Sequence, residues 1–290
     1  MKPQELATKE VNTWCPGCPN FGILRAEQEA LAELINEGKI SRKDTVVVTG
    51  IGCHAKLYDY INLNSYYGIH GRVLPACLGV KTGNPKLTVI GHGGDGDTYA
   101  EGIAHFMHNC RYNSDITMMV HNNQVFSLTT GQATPTTDKG FVDGSTPLGV
   151  KDMPINPLVL AIEAGATFVA RGYALNVPHL KELMKRAIMH KGFAFIDILQ
   201  PCIIFHKYAL PYLNKNVYEL ENEYKADNKD EALKRAKEWD YCYEQDNKVA
   251  IGVFYQTQRH TFESDWPQQK GPWHKVKRNL NWQNAVKEFK

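Results

Sequence analysis

Leu87-Thr88-Val89-Ile90, then His92-Gly93-Gly94-Asp95-Gly96, then a helical stretch from about Tyr99 to Arg111, is the run that decides the fold. The first four residues lack polar alternation and read as a strand buried on both faces. Glycines and an aspartate stop it, and the helix-length segment carries the chain back. The same unit recurs on either side. Thr45-Val46-Val47-Val48-Thr49 ends at Gly50, and Ile116-Thr117-Met118-Met119-Val120 ends just before the Asn122-Asn123 pair. Ile23, Leu24, Leu31, Leu34 and Ile35 recur at helical spacing with Glu37-Gly38 as a stop, and Arg72 to Thr82 reads as another helix. Further on, helices at Leu158–Ala164 and His179–His190 alternate with strands at Phe168–Ala170 and Phe193–Leu199. This alternation predicts an α/β fold: a parallel sheet, right-handed crossovers, and helices on both faces. Ligands in such sheets gather beyond the carboxyl ends of the strands, which is where the glycine, aspartate and asparagine clusters stand.

Composition bounds the function classes. The chain has 290 residues, 43% hydrophobic and 22% charged, enough for a sizeable core. A formal net charge of +2 carries no nucleic-acid footprint, although Lys275-Val276-Lys277-Arg278 is locally basic. No run approaches the ~20 apolar residues of a membrane span. Met1-Lys2-Pro3-Gln4-Glu5 has no secretory core, so the expected location is cytoplasmic. Residues 129–157 are rich in Thr, Pro and Gly and read as a functional lid or binding loop. After Pro201 the alternation fades: residues 215–246 are charged and helix-prone, Val249–Phe254 suits one more strand, and the Trp-containing tail reads as an extension.

The strand-end clusters have a definite chemistry. Gly94-Asp95-Gly96 before a helix lets the backbone approach an anion and points a helix N-terminus at it. Asp95 offers a carboxylate, Asn123 an amide oxygen, and Val125 a backbone carbonyl. Magnesium takes a few such hard oxygens and completes its octahedron with phosphate and water. Either cluster alone is equally well a tight turn. Together, on adjacent strands, Gly94-Asp95-Gly96-Asp97 and Asn122-Asn123-Gln124-Val125 look like the thiamine diphosphate–magnesium signature.

Seven cysteines in a chain read as cytosolic point to metal or free thiols rather than to a disulfide framework. Cys15-Pro16-Gly17-Cys18 is a C-x-x-C turn, Cys53 closes Gly50-Ile51-Gly52-Cys53, and Cys202 follows a strand end. Four such turns suit zinc or an iron–sulfur cluster, and spacing does not choose between them or exclude a redox pair. Cys77 and Cys110 fall in helices as small buried hydrophobes. Cys242 is the alternative fourth ligand.

In this order the motifs resemble one family, the beta subunits of 2-oxoacid:ferredoxin oxidoreductases. The resemblance runs from Trp14-Cys15-Pro16-Gly17-Cys18 through Gly50–Cys53, His70-Gly71-Arg72, Gly94–Asp97 and Asn122-Asn123 to Thr129-Thr130-Gly131-Gln132 and Pro135-Thr136-Thr137. It implies a thiamine diphosphate and iron–sulfur domain over residues 1–205, with 206–290 an extension that packs on a partner or covers the cluster. It implies a [4Fe–4S] cluster on Cys15, Cys18, Cys53 and Cys202, and Gly52, Cys53, His54 and His70 beside the cofactor. Ser127, Leu128 and Thr129 join them there, with Gly94, Asp95, Gly96 and Asp97 at the diphosphate. Further implied are coenzyme A as acyl acceptor, ferredoxin as electron acceptor, and 2-oxoglutarate as the favoured acid, the last from the stretch around His70. A cluster takes electrons singly, which zinc does not, so the resemblance decides between the metals.

Two departures stand beside the cofactor: His54 where relatives often carry Ser or Gly, and Phe126-Ser127-Leu128-Thr129-Thr130 in place of Tyr-Gly-Met-Thr-Gly. Lys56 is expected to pair with the distal carboxylate of a dicarboxylic acid, against a solvated lysine. His54 and His70 are expected to contact cofactor or substrate, against hydrogen-bonded structural histidines. Leu128 is expected to wedge under the cofactor, against ordinary core. The glutamate that thiamine enzymes aim at the aminopyrimidine belongs to a second domain, so an alpha subunit is expected to supply it. The competing readings are an oxidoreductase for pyruvate, branched-chain or aryl 2-oxoacids, and a zinc-stapled binding module without catalysis.

Overall fold

The computed structural model describes residues 1–221, 223–243, 247–266, 271–276 and 281–287. Its ten strands are β1 (Thr45–Thr49), β2 (Asn64–Tyr67), β3 (Thr88–Gly94), β4 (Thr117–Asn122), β5 (Val125–Phe126), β6 (Gln132–Ala133), β7 (Phe168–Tyr173), β8 (Ala194–Leu199), β9 (Val217–Glu219) and β10 (Val249–Gln256) among the described residues. The α-helices are α1 (Asn20–Asn36), α2 (Leu57–Tyr60), α3 (Val73–Gly83), α4 (Ile103–Tyr112), α5 (Pro157–Ala164), α6 (Val177–Met189), α7 (Ala209–Asn216), α8 (Lys229–Ala236) and α9 (Trp282–Lys287). Eight strands form one sheet in the order β2-β1-β3-β4-β8-β7-β10-β9, parallel throughout except where β10 meets β7. Strands β5 and β6 form a separate antiparallel pair that leads into the expected lid, with only β6 inside it.

Successive strand residues point to opposite faces, and two cores result. Val47, Phe168, Ala170, Ala194 and Ile196 pack under α1 and α6, whose buried faces carry Ile23, Leu31, Leu180 and Met184. Their sequence neighbours Val48, Val169, Phe193 and Phe195 pack under α3, α4, α5 and α8, against Val73, Phe106, Ile162 and Ala236. The α/β fold with helices on both faces is therefore present as the sequence implies.

The departures have local causes. Strand β3 does not stop at Ile90 but continues through Gly94, hydrogen-bonded to β1 and β4 on its two sides. Its glycines make that packing possible: a Cβ on Gly91 would lie 2.9 Å from Val73 Cγ1 and 3.0 Å from both Cys77 Sγ and Met118 Sδ. Strand β4 likewise runs through Asn122, so the asparagine pair straddles the strand end. The single helix expected from Tyr99 is a wide π-type turn over Gly96–Glu101 followed by α4. There the Gly102 N–H reaches back to the Asp97 carbonyl, 3.0 Å away. The His70-Gly71-Arg72 segment packs against that turn: Gly71 N–H donates to Asp97 and the Arg72 guanidinium to the Glu101 carbonyl. Past residue 205, β9 and β10 complete one end of the sheet, so the sheet itself crosses the expected domain boundary. In the charged stretch 215–246, α8 is helical, while Asn222 and residues 244–246 lie outside the described residues, as do Lys277 and Arg278 of the basic run. Among the described residues no helix is long and apolar enough to cross a membrane.

Candidate active site

Strands β1, β3, β4 and β8 end side by side, and their exit loops meet. One cleft there is lined by Gly52, Cys53, His54 and His70, by Gly94, Asp95, Gly96 and Asp97, and by Asn123, Val125, Ser127, Leu128 and Thr129. Ile51 and Phe126, not singled out from the sequence, complete its wall. A Cβ on Gly96 would fall on the Phe126 ring, so glycine at that position is what lets the aromatic wall close on the turn.

The asparagine turn is held from all sides. Gln124 adopts a left-handed φ of 60°, which turns the chain sharply between Asn123 and Val125. Asn123 Oδ1 accepts from Val125 N–H at 3.1 Å, and its amide nitrogen donates to Ser127 Oγ and Gln200 Oε1. Asp95 is 1% exposed; its carboxylate accepts from the Asn123 N–H at 3.3 Å and from Thr136 Oγ1 at 3.0 Å. Burial, against the lowering effect of those hydrogen bonds, pushes Asp95 up to about 6. A buried carboxylate with an amide oxygen alongside suits a divalent cation, whose charge relieves that burial cost.

Asp97 is the hub of the cleft floor. It is 2% exposed, with Oδ2 3.5 Å from His54 Nε2 and Oδ1 3.6 Å from His70 Nδ1. His70 Nδ1 also stands 3.0 Å from Glu101 Oε2. Asp97 Oδ2, His54 Nε2 and Thr98 Oγ1 are buried without a hydrogen-bond partner. Thr98 lines a neighbouring pocket rather than the cleft, whereas Asp97 Oδ2 and His54 Nε2 face each other in the cleft lining and suit a polar ligand there.

A second cavity, of about 240 Å³, opens on the other side of the same wall. Cys15, Cys18, Cys53 and Cys202 all line it, whereas Cys242 does not. Cysteine sulfurs here receive hydrogen bonds: Ser127 Oγ donates to Cys53 at 3.2 Å, Gln200 Nε2 to Cys18 at 3.7 Å, and Phe205 N–H to Cys202 at 3.4 Å. Burial holds the Cys18 thiol up at about 11 and raises Cys53 as well. Among the described residues no three His, Cys, Asp or Glu side chains are gathered closely enough to share one ion. Four cysteines thus line one cavity, and three of their sulfurs receive hydrogen bonds.

Lys56 lines the cysteine cavity and not the Asp95 cleft, and its ammonium donates to the Thr13 carbonyl at 3.2 Å. Cys53, Asn123, Ser127 and Leu128 line both spaces, so one wall separates the two. Thr136, Gln200 and Trp14, whose indole N–H donates to the Cys53 carbonyl at 2.6 Å, support this wall without having been singled out as site residues. Thr136 and Trp14 were visible only as parts of longer motifs; Gln200 carried no signal.

Comparison with known proteins gives this geometry a family. Residues 50–198 match the model of the thiamine pyrophosphate enzyme C-terminal TPP binding domain, and residues 202–271 that of the C-terminal part of the pyruvate ferredoxin oxidoreductase beta subunit. The chain is 43% identical to the 2-oxoacid:ferredoxin oxidoreductase subunit beta of Saccharolobus solfataricus over 86% of this chain and 83% of the relative. The chain belongs to the beta subunits of the 2-oxoacid:ferredoxin oxidoreductases. Another relative of this beta subunit is the 2-oxoglutarate oxidoreductase subunit KorB of Mycobacterium tuberculosis, 35% identical over 74% of this chain and 56% of the relative. Among solved structures, the beta-subunit fold matches a 2-oxoglutarate:ferredoxin oxidoreductase from Magnetococcus marinus with 2-oxoglutarate, coenzyme A and succinyl-CoA bound. That match has a TM-score of 0.89 and 28% identity, over 100% of this chain and 96% of the other. This beta subunit is thus one part of a multi-subunit oxidoreductase and carries its thiamine diphosphate-binding domain.

Proposed function

We propose that the chain is the catalytic beta subunit of a CoA-acylating 2-oxoglutarate:ferredoxin oxidoreductase. The observation that carries the reading is the shared wall: Cys53, Asn123, Ser127 and Leu128 border both the Asp95 cleft and the four-cysteine cavity. Bound in the cleft, thiamine diphosphate supplies a nucleophilic carbon for the 2-oxo group and an electron sink for loss of CO2. Cys15, Cys18, Cys53 and Cys202 would hold a [4Fe–4S] cluster, which would supply a one-electron acceptor on the way to ferredoxin.

The residues divide the remaining work. Asp95, the Asn123 amide oxygen and the Val125 carbonyl hold magnesium, while Gly94 and Gly96 let the backbone close on the diphosphate. Asp97 fixes His54 and His70 at the cleft floor, where they contact cofactor or substrate. Leu128, 47% exposed and lining the cleft between Phe126 and Thr129, would wedge under the bound cofactor. Lys56 has no carboxylate partner among the described residues, so its charge is available to the distal carboxylate of a dicarboxylic acid. The pyrimidine-side glutamate and the rest of the substrate pocket come from an alpha subunit, in a cytoplasmic complex. KorB relatives and the 2-oxoglutarate-bound neighbour support the acid named here.

The test is a substrate panel with the reconstituted two-subunit enzyme under anaerobic conditions, reading viologen reduction. The expected result is CoA-dependent reduction with 2-oxoglutarate at a kcat/KM well above that for pyruvate. Preference for pyruvate or a branched-chain acid overturns the substrate; no CoA-dependent reduction with any 2-oxoacid overturns the function.

A further inference from the structure

Behind the asparagine turn lies a buried cluster to which the reaction assigns no role. Arg171 on β7 and Asp197 on β8 are register partners, and both are 0% exposed. Taking two charges out of water costs several kcal/mol each unless hydrogen bonds answer them. Tyr99 and the Ala250 carbonyl supply part of the answer, and the segment Trp239–Tyr243, which lies beyond the thiamine domain match, supplies more. Tyr241 Oη donates to Asp197 Oδ2 at 2.6 Å and accepts from Arg171 Nη2 at 3.2 Å. The Arg171 guanidinium sits 5.3 Å from the Trp239 ring centroid and 5.1 Å from that of Tyr241.

The same cluster grips both neighbours of Asn123. Asn122 Nδ2 donates to Asp197 Oδ1 at 3.1 Å. On the other side, Gln124 Nε2 donates to the Tyr241 carbonyl at 3.0 Å, and the Tyr243 hydroxyl donates to Gln124 Oε1. Gln124 is the residue whose left-handed φ aims Asn123 and Val125 into the cleft. A pure stability staple has no reason to converge on the two residues flanking one oxygen donor.

We infer that Tyr241 and Tyr243, with Asp197, are positioning residues that hold the Asn123–Val125 turn in its metal-binding shape, so that the C-terminal segment sets the affinity of the diphosphate site. This rests on the cofactor reading above. Partners that orient a metal ligand are worth about 10- to 100-fold in affinity when removed.

The experiment uses the two-subunit complex stripped of thiamine diphosphate and titrated with it at fixed magnesium, followed by tryptophan fluorescence. Tyr243→Phe removes the hydroxyl that donates to Gln124, and Tyr241→Phe removes the one that holds Asp197, the acceptor of the Asn122 amide; both keep the ring. Tyr224→Phe is the control: its hydroxyl donates to the Phe254 carbonyl at 2.7 Å in the same C-terminal region and touches nothing in the turn. The inference expects Kd to rise about tenfold or more in either turn variant and less than twofold in Tyr224→Phe, with the cluster's visible absorbance unchanged. If Tyr241→Phe does not fold, Tyr243→Phe decides alone. A Kd within twofold of wild type in the folded turn variants, or an equal rise in the control, overturns the inference. Wild-type complex that binds no thiamine diphosphate overturns the cofactor reading itself, and the inference with it.

Discussion

Lys56 carries the claim about the acid. Its ammonium donates to one backbone carbonyl and stands in the cysteine cavity beside Cys53, Ser127 and Leu128, which also border the cleft. A charge-assisted hydrogen bond is worth about 1.5–3 kcal/mol, roughly 10- to 100-fold in affinity. Lys56→Ala is therefore expected to raise KM for 2-oxoglutarate by at least about tenfold while changing that for pyruvate little; equal KM values for variant and wild type would remove the role. Residues of this kind were legible where chemistry demands a side chain near the glycines: Asp95, Asn123 and the cysteines have few other reasons to sit at strand ends. Thr136 and Gln200 were not, because their hydrogen bonds to Asp95 and Asn123 exist only once distant loops have been brought back onto the sheet. Lys56 was legible as a candidate, but nothing local says on which side of the Cys53 wall its stem lies.

Among the elements, β-branched runs announced β1 and the buried strands β4 and β8, whose residues pack on both faces. The polar edge strand β2, Asn64–Tyr67, has no such pattern because neither face is buried. Strand β3 hid for the opposite reason: its second half, Gly91-His92-Gly93-Gly94, is loop-like in composition but is buried and lies between β1 and β4. Gly91 makes that testable. With Val73, Cys77 and Met118 all within 3.0 Å of where a Cβ would go, Gly91→Ala overpacks the core, and the expected loss is about 1–3 kcal/mol in stability. Denaturant unfolding of the complex reads it as a lower midpoint at unchanged slope; an unchanged midpoint would mean β3 is looser than its glycines imply.

At the scale of the whole molecule, the sheet gathers the Asp95 cleft and the cysteine cavity at one end. The cluster loops come from opposite parts of the chain: Cys15–Cys18 precedes α1, and Cys202 follows β8, tied down by His206 and Tyr208 hydrogen-bonded to Asp138 of the lid. The C-terminal segment, least informative as sequence because its strands β9 and β10 are short of context, proves to brace the asparagine turn from behind. What unites these parts is the single wall between the two spaces. If electrons cross this wall, the visible absorbance of the anaerobic two-subunit holoenzyme reports it on mixing with 2-oxoglutarate alone. The expected result is bleaching of the iron–sulfur band that requires bound thiamine diphosphate and is absent when the thiamine site is empty; a band that stays unchanged in the fully loaded enzyme while CO2 is released would rule out transfer across the wall.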